Sequence, residues 1–219
     1  MNSNNSLIIE VQYFPPIEYF KQLFQFPHVV IEAHENYQKG SYRNRCHIAH
    51  STGVQVLSVP LRKGKNAKQL IREVAIAYDM DWQKQHWQSI RTAYGSAPFW
   101  EHYAPQVEPF FLKKYDYLFD LNMAILETFL KILKLKNTVT VSFSTDYVIH
   151  FISEGIINTL SGAQQEGVDL RNKILPNKSD FQGEKYAQLF QERTGFLPNL
   201  SILDLVFCTG PQALTVIKS

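Results

Sequence analysis

Residues 7–33, LIIEVQYFPPIEYFKQLFQFPHVVIEA, decide the fold class of this chain. Leu7–Val11 is a short run of β-favouring residues suited to a buried strand. Pro15-Pro16 ends it and can open a helix, because proline is tolerated in the first helical turn. Ile17, Phe20, Leu23 and Phe24 then recur at helical spacing. Pro27 stops that helix, and Val29–Ala33 reads as a second strand. A strand–helix–strand unit of this length implies parallel pairing through a right-handed crossover.

Working outward, the second strand runs into His34–His47, HENYQKGSYRNRCH. Those fourteen residues hold two histidines, a carboxylate, three basic side chains, two tyrosines and two asparagines. In an open α/β sheet, ligands collect beyond the carboxyl ends of the strands, where this segment begins. Arg45–His50 and Val54–Leu61 flank Ser51-Thr52-Gly53 as a hairpin, and Val74–Tyr78 reads as a further strand. From Asp81 the period changes: Trp82, His86, Ile90 and Ala93 or Tyr94 share a helical face that Gly95 stops.

Asp116–Lys134 is the clearest helix. Its stripe is Leu118, Leu121, Ile125, Phe129 and Ile132, with acids near its start and lysines near its end, as the helix dipole favours. Thr138–Phe143 is strand-like, and residues 161–183 are rich in loop formers. Short helices are expected at Lys185–Arg193 and Ser201–Phe207. The expectation is one α/β domain over residues 1–219, a mostly parallel sheet with flanking helices and a predominantly helical second half.

Composition narrows the function. The net charge is +2, and the densest basic cluster is Arg62-Lys63-Gly64-Lys65 with Lys68, too little for a nucleic-acid-binding stripe. Cys46 and Cys208 are far apart and lack a CxxC partner, which argues against zinc and disulfides and fits a cytoplasmic protein. MNSNNSLIIE lacks the features of a signal peptide. No apolar run nears the roughly 18 residues that cross a bilayer. Aromatic residues make up 13% of the chain, enough to fill a core, line a pocket or form a homodimer interface.

Among residues that could carry chemistry, His86 lies one turn from Trp82 and Ile90, either a bonded core-edge histidine or a general base or acid. His34 and Glu35 point to opposite faces if extended, and both can face a ligand if they lie on a loop. Arg43-Asn44-Arg45 offers two guanidinium forks that can clamp one anion or form salt bridges. Asp169-Leu170-Arg171 invites the same pair of readings. Phosphate-loop, dinucleotide, nucleophile-elbow and HExxH signatures are missing. His34, Glu35 and His47 lack a specific metal-ligand spacing, so no metal site is assigned.

At these same residues the sequence resembles the WbqC-like family. The segments are Gln12-Tyr13-Phe14-Pro15-Pro16-Ile17-Glu18-Tyr19-Phe20, His34-Glu35-Asn36-Tyr37-Gln38, and Tyr42-Arg43-Asn44-Arg45. They continue through Trp82…His86-Trp87, Tyr94…Ala97-Pro98-Phe99 and Phe196–Leu205, so the resemblance spans nearly the whole chain. Many relatives carry Gln-Pro before the aromatic and Trp after the proline, where this chain has Val11-Gln12 and Pro16. Many also carry acidic residues in place of His34-Glu35, so this is a divergent branch.

The resemblance implies a role in bacterial O-antigen or other surface-polysaccharide synthesis. Some members of the family are thought to modify amino sugars. Two functions follow as expectations. One is a cytoplasmic transferase that adds an acyl or aminoacyl group to a nucleotide-linked amino sugar. His86 or His34 would then be the catalytic base. Tyr13, Glu35, Asn36, Tyr37, Arg43, Asn44 and Arg45 would bind the sugar and its anionic group. The other is a non-catalytic sugar-nucleotide-binding or scaffolding protein of the same pathway. Neither reading names a cofactor.

Overall fold

The computed structural model describes residues 6–62, 69–145, 147, 150–152, 156–158, 164–177 and 180–219. The basic cluster at 62–68 therefore lies outside the described residues except for Arg62. In chain order the elements begin with β1 (Ser6–Ile9), α1 (Ile17–Gln25) and β2 (His28–Ile31). β3 (Arg45–His50) and β4 (Gly53–Ser58) follow, then α2 (Trp82–Tyr94), α3 (Trp100–Val107), α4 (Pro109–Leu112) and α5 (Leu118–Ile132). The chain continues with β5 (Thr140–Phe143), β6 (His150–Ile152), β7 (Ile156–Asn158) and β8 (Gln164–Asp169). It finishes with α6 (Gln191–Thr194), α7 (Ile202–Thr209) and α8 (Ala213–Lys218).

β1 and β2 pair in parallel, Leu7 opposite Val29 and Ile9 opposite Ile31. β5 adds in parallel beyond β2, and β8 adds in parallel on the other side of β1. The order is β5-β2-β1-β8-β7-β6, a four-stranded parallel sheet extended by two antiparallel strands. Leu7, Ile8 and Ile9 are fully buried, which is why this strand is apolar at successive positions instead of alternating. β3 and β4 form a separate antiparallel hairpin, turned at Gly53 with φ +126°.

The Tyr13–Pro16 corner ties the two ends of the chain together. Tyr13 N–H donates to the Tyr42 carbonyl, Ile17 N–H to Leu200, and Ile202 N–H to Pro15. The Asn199 side chain accepts from the Glu18 N–H and donates to the Glu18 carboxylate. Phe14 takes φ 38°, a region costing a bulky residue on the order of 1–3 kcal/mol. The ring is fully buried among Phe110, Phe111 and Phe129, at 5.8–6.0 Å between centroids. Aromatic packing offsets the strain there.

Three local expectations differ from the structure. Residues 161–183, read as rich in loop formers, contain β8, a mostly polar strand held by its pairing with β1 and β7 and not by a local apolar pattern. Val74–Tyr78 is extended, and among the described residues it makes isolated bridges, Ile76 with Leu61 and Ala75 with Tyr117, without a continuous partner strand. Its backbone bonds are divided between two chain segments, Ile76 N–H to Asp116 and Ala77 N–H to Pro60. Lys185–Arg193 is helical only at its end, because the Gln188 side chain bonds both the N–H and the carbonyl of Leu197 and holds the chain irregular. Helices α3 and α4 occupy a stretch whose Pro105 and Pro109 disguise them, one near the end of α3 and one in the first turn of α4. Among the described residues, no helix is long and apolar enough to cross a membrane.

Candidate functional site

The carboxyl ends of the four parallel strands converge on one cluster of charged side chains. β1 leads into Glu10 and Gln12, β2 into Glu32, His34 and Glu35, β5 into Ser144, and β8 ends at Asp169 and runs into Arg171 and Asn172. The strand order reverses at β1, with β2 and β5 on one side and β8 on the other. That is where an α/β sheet opens a crevice for ligands. Arg43 enters from the loop before β3, held by the Asn122 side chain donating to its backbone carbonyl at 2.7 Å.

Arg43 faces Glu35 with two parallel bonds, Nε to Oε1 at 2.7 Å and Nη2 to Oε2. Nη2 also donates to Asn172 Oδ1 at 3.0 Å and lies 3.9 Å from Glu10 Oε2. Glu10 accepts from the Gln12 amide at 2.8 Å and from the Asn172 N–H at 2.9 Å. Alongside, Glu32 accepts from Ser144 at 2.7 Å, the His34 N–H at 2.9 Å and Arg171 Nη1 at 2.9 Å. Arg171 forks onto Asp169, and Tyr147, itself half exposed, lies 5.0 Å from its guanidinium.

Four carboxyl groups thus face two guanidiniums. Glu10, Glu32 and Arg43 are fully buried, and Glu35 is 4% exposed. Burial pushes the Glu35 carboxyl up to about 7; the Arg43 bonds pull it down, and Glu10 and Glu32 add to the rise. Burial disfavours the Arg43 charge, but Glu35 and Glu10 outweigh it and raise its pKa, so Arg43 stays ionised.

The other candidates separate into two further groups. Tyr13 is fully buried and meets His86 Nδ1 at 2.9 Å, while the imidazole also bonds the Ser58 carbonyl. A neutral ring donating to Ser58 accepts at Nδ1 from the tyrosine. Burial lowers the His86 pKa to about 4, and Trp82 and Phe111 pack against the ring. His86, on α2, thus links Tyr13, in the corner after β1, to Ser58 at the end of β4.

Tyr37 lies within electrostatic reach of Arg43 and Arg45, and Arg45 in turn lowers the pKa of His47, after burial. Arg45 is half buried; its Nε has no hydrogen-bond partner, and among the described residues no carboxylate pairs with it. Asn36 is exposed, bridging Leu70, and Asn44 is buried with its amide on the Val59 carbonyl. The structure therefore brings Glu35, Arg43 and His34 to the sheet edge. Tyr37 and Arg45 lie beside that edge, and Tyr13 and His86 form a separate pair.

Glu10, Glu32, Ser144 and Asn172 were not singled out from sequence. A signal for two of them exists: both buried strands end in Ile-Glu, at Ile9-Glu10 and Ile31-Glu32. A carboxylate closing an apolar strand is costly unless paired, so it marks a place where charges meet. Among the described residues, no group of three or more His, Cys, Asp or Glu side chains is placed to hold a metal ion.

Comparison with known proteins places the chain in a family. It matches the WbqC-like protein family over residues 11–216, nearly its whole length, and belongs to that family. It is 26% identical over 223 residues to "Uncharacterized protein Rv1507c" of Mycobacterium tuberculosis (strain ATCC 25618 / H37Rv), covering 94% of each chain. No solved structure matches it.

Proposed function

We propose that this WbqC-like protein is a transferase that adds an acyl or aminoacyl group to the amino group of a nucleotide-linked sugar. The setting is bacterial O-antigen or surface-polysaccharide synthesis in the cytosol. One observation carries the reading: Glu35, a buried carboxyl held near 7 at the carboxyl edge of the parallel strands. A group with that pKa can take a proton and return it near neutral pH. In this reading the amine nitrogen bonds to the acyl carbon of an activated ester or thioester donor, and the bond from that carbon to the donor's oxygen or sulfur breaks. Glu35 accepts the proton the nitrogen loses while the donor's alcohol or thiol leaves. His34, half buried next to it, relays that proton outward.

The surplus of carboxyl groups holds the amine, and Arg45 receives the diphosphate or carboxylate. Tyr37 and Asn36 meet sugar hydroxyls, and Asn44 shapes the loop between them. Tyr13 and His86 support the site from behind, and Arg43 orients Glu35 through its two bonds. The cytosolic setting is supported by Cys46 and Cys208, both unpaired and buried.

A thermal-shift panel of sugar nucleotides, followed by product analysis, tests this. A ligand at 100 times its dissociation constant adds about 2.7 kcal/mol of stability. Glu35→Gln should keep that shift and lose product formation by roughly 10²–10⁴-fold. A wild-type protein that binds sugar nucleotides but yields no product with any acyl donor supports a scaffolding protein instead. Full turnover in Glu35→Gln removes the carboxyl from the chemistry.

A further inference from the structure

We infer that β5 is a pairing edge for a second copy of this chain, joined antiparallel about a twofold axis. β5 lies at the end of the six-stranded sheet. Thr140 N–H donates to Pro27 and Ser144 N–H to Ile31, so the even-numbered residues face β2. The backbone groups of Val141 and Phe143 therefore point away from the sheet. Among the described residues no strand pairs with that side.

Natural edge strands usually carry charge or proline that discourages pairing, and an edge without them is a template for another strand. Thr138–Ser144, TVTVSFS, has neither. Phe143 at its end is 52% exposed. A groove of about 360 Å³ runs beside the strand, lined by Glu127 and Leu130 of α5 together with Lys136 and Val141.

Charge selects an identical copy as the occupant. Lys136 is exposed in the turn that leads into β5, four residues before Thr140. At the other end Phe143 packs on Phe119, which places the exposed Asp120 there, two turns before Glu127 on the same face of α5. An antiparallel twofold brings the Lys136 end of one copy to the Asp120 end of the other, so each end finds the opposite sign. The uncharged strand between them meets itself without like-charge repulsion. This pairing is independent of the transferase reading.

Sedimentation velocity on the full chain tests it. The wild type should be a dimer, and Ser142→Lys should weaken it by roughly tenfold or more through like charges facing across the axis. Lys136→Glu should weaken it too, and Lys136→Glu with Asp120→Lys should restore it. Ser142→Cys should give an intermolecular disulfide under a mild added oxidant such as oxidised glutathione, with the buried native cysteines left out of the exchange. Thermal melts confirm that each variant folds. A monomeric wild type, even one that binds foreign peptides at this edge, overturns the inference. So does a dimer indifferent to Ser142→Lys and to the charge swap.

Discussion

Replacing Arg43 by Met removes a cation from the middle of the sheet-edge cluster while nearly keeping its volume. Arg43 is fully buried and bonds Glu35 twice, with Asn172 and Glu10 on the same nitrogen. Its loss leaves the buried carboxyls of Glu10, Glu32 and Glu35 with Arg171 as the one guanidinium bonded to the cluster among the described residues. Breaking a buried ion pair from one side costs about 3–5 kcal/mol. For a chain of this size that lowers Tm by roughly 6–20 °C, at about 2–4 °C per kcal/mol.

The cost should depend on pH in a stated direction. The folded pKa of Glu35 lies above its unfolded value of 4.5, at about 7. Its contribution is therefore full below pH 4.5 and falls as pH rises through 7. Without Arg43 that pKa climbs further, so the gap between variant and wild type should widen from pH 5 to pH 8. Urea unfolding at both pH values measures it. Arg43→Met with Glu35→Gln should recover much of the loss, as contacting partners are not additive. A single variant within about 1 kcal/mol of wild type at pH 8, or a double variant with fully additive loss, refutes the buried pair as the clasp of this edge.

Two further predictions concern buried titrating groups. His86 is depressed to about 4 from 6.5, so its contribution is full above pH 6.5 and is lost as pH falls through 4. His86→Phe should lower stability at pH 7 by stranding the Tyr13 hydroxyl, and should flatten the acid limb of the stability curve read by thermal melts. Asp204 is fully buried, accepts from Tyr186 and Gln188, and is raised by burial from 3.8 to about 6. Its contribution weakens as pH rises from about 4 to 6, so Asp204→Asn should remove that slope in urea titrations while keeping the Tyr186 bond.

β1, β2 and β5 were legible because their code is local, whereas β8, QQEGVD with a single apolar side chain, is a strand through its pairing with β1 and β7. Leu7–Ile9 and Val29–Ile31 are uninterrupted apolar runs with a helix of the right period between them, and proline marks both boundaries. The 82–94 and 118–132 helices were legible for the same reason. Val74–Tyr78 and Lys185–Arg193 misled because their conformation depends on hydrogen bonds to distant residues such as Asp116, Pro60 and Leu197. No local pattern records such partners.

The candidate site divides along the same line. By itself the sequence determined that a polar segment containing His34, Glu35, Arg43 and Arg45 leaves the end of a buried strand. It also determined where Ile-Glu closes each of the two strands. Only the tertiary structure decided that Arg43 turns to Glu35, that Tyr13 turns to His86, and that Asp169, Arg171 and Asn172 join from far along the chain. The reason is physical: a charge removed from water must find its counter-charge nearby in space. Which groups are near is set by the order of the strands, not by their order along the chain.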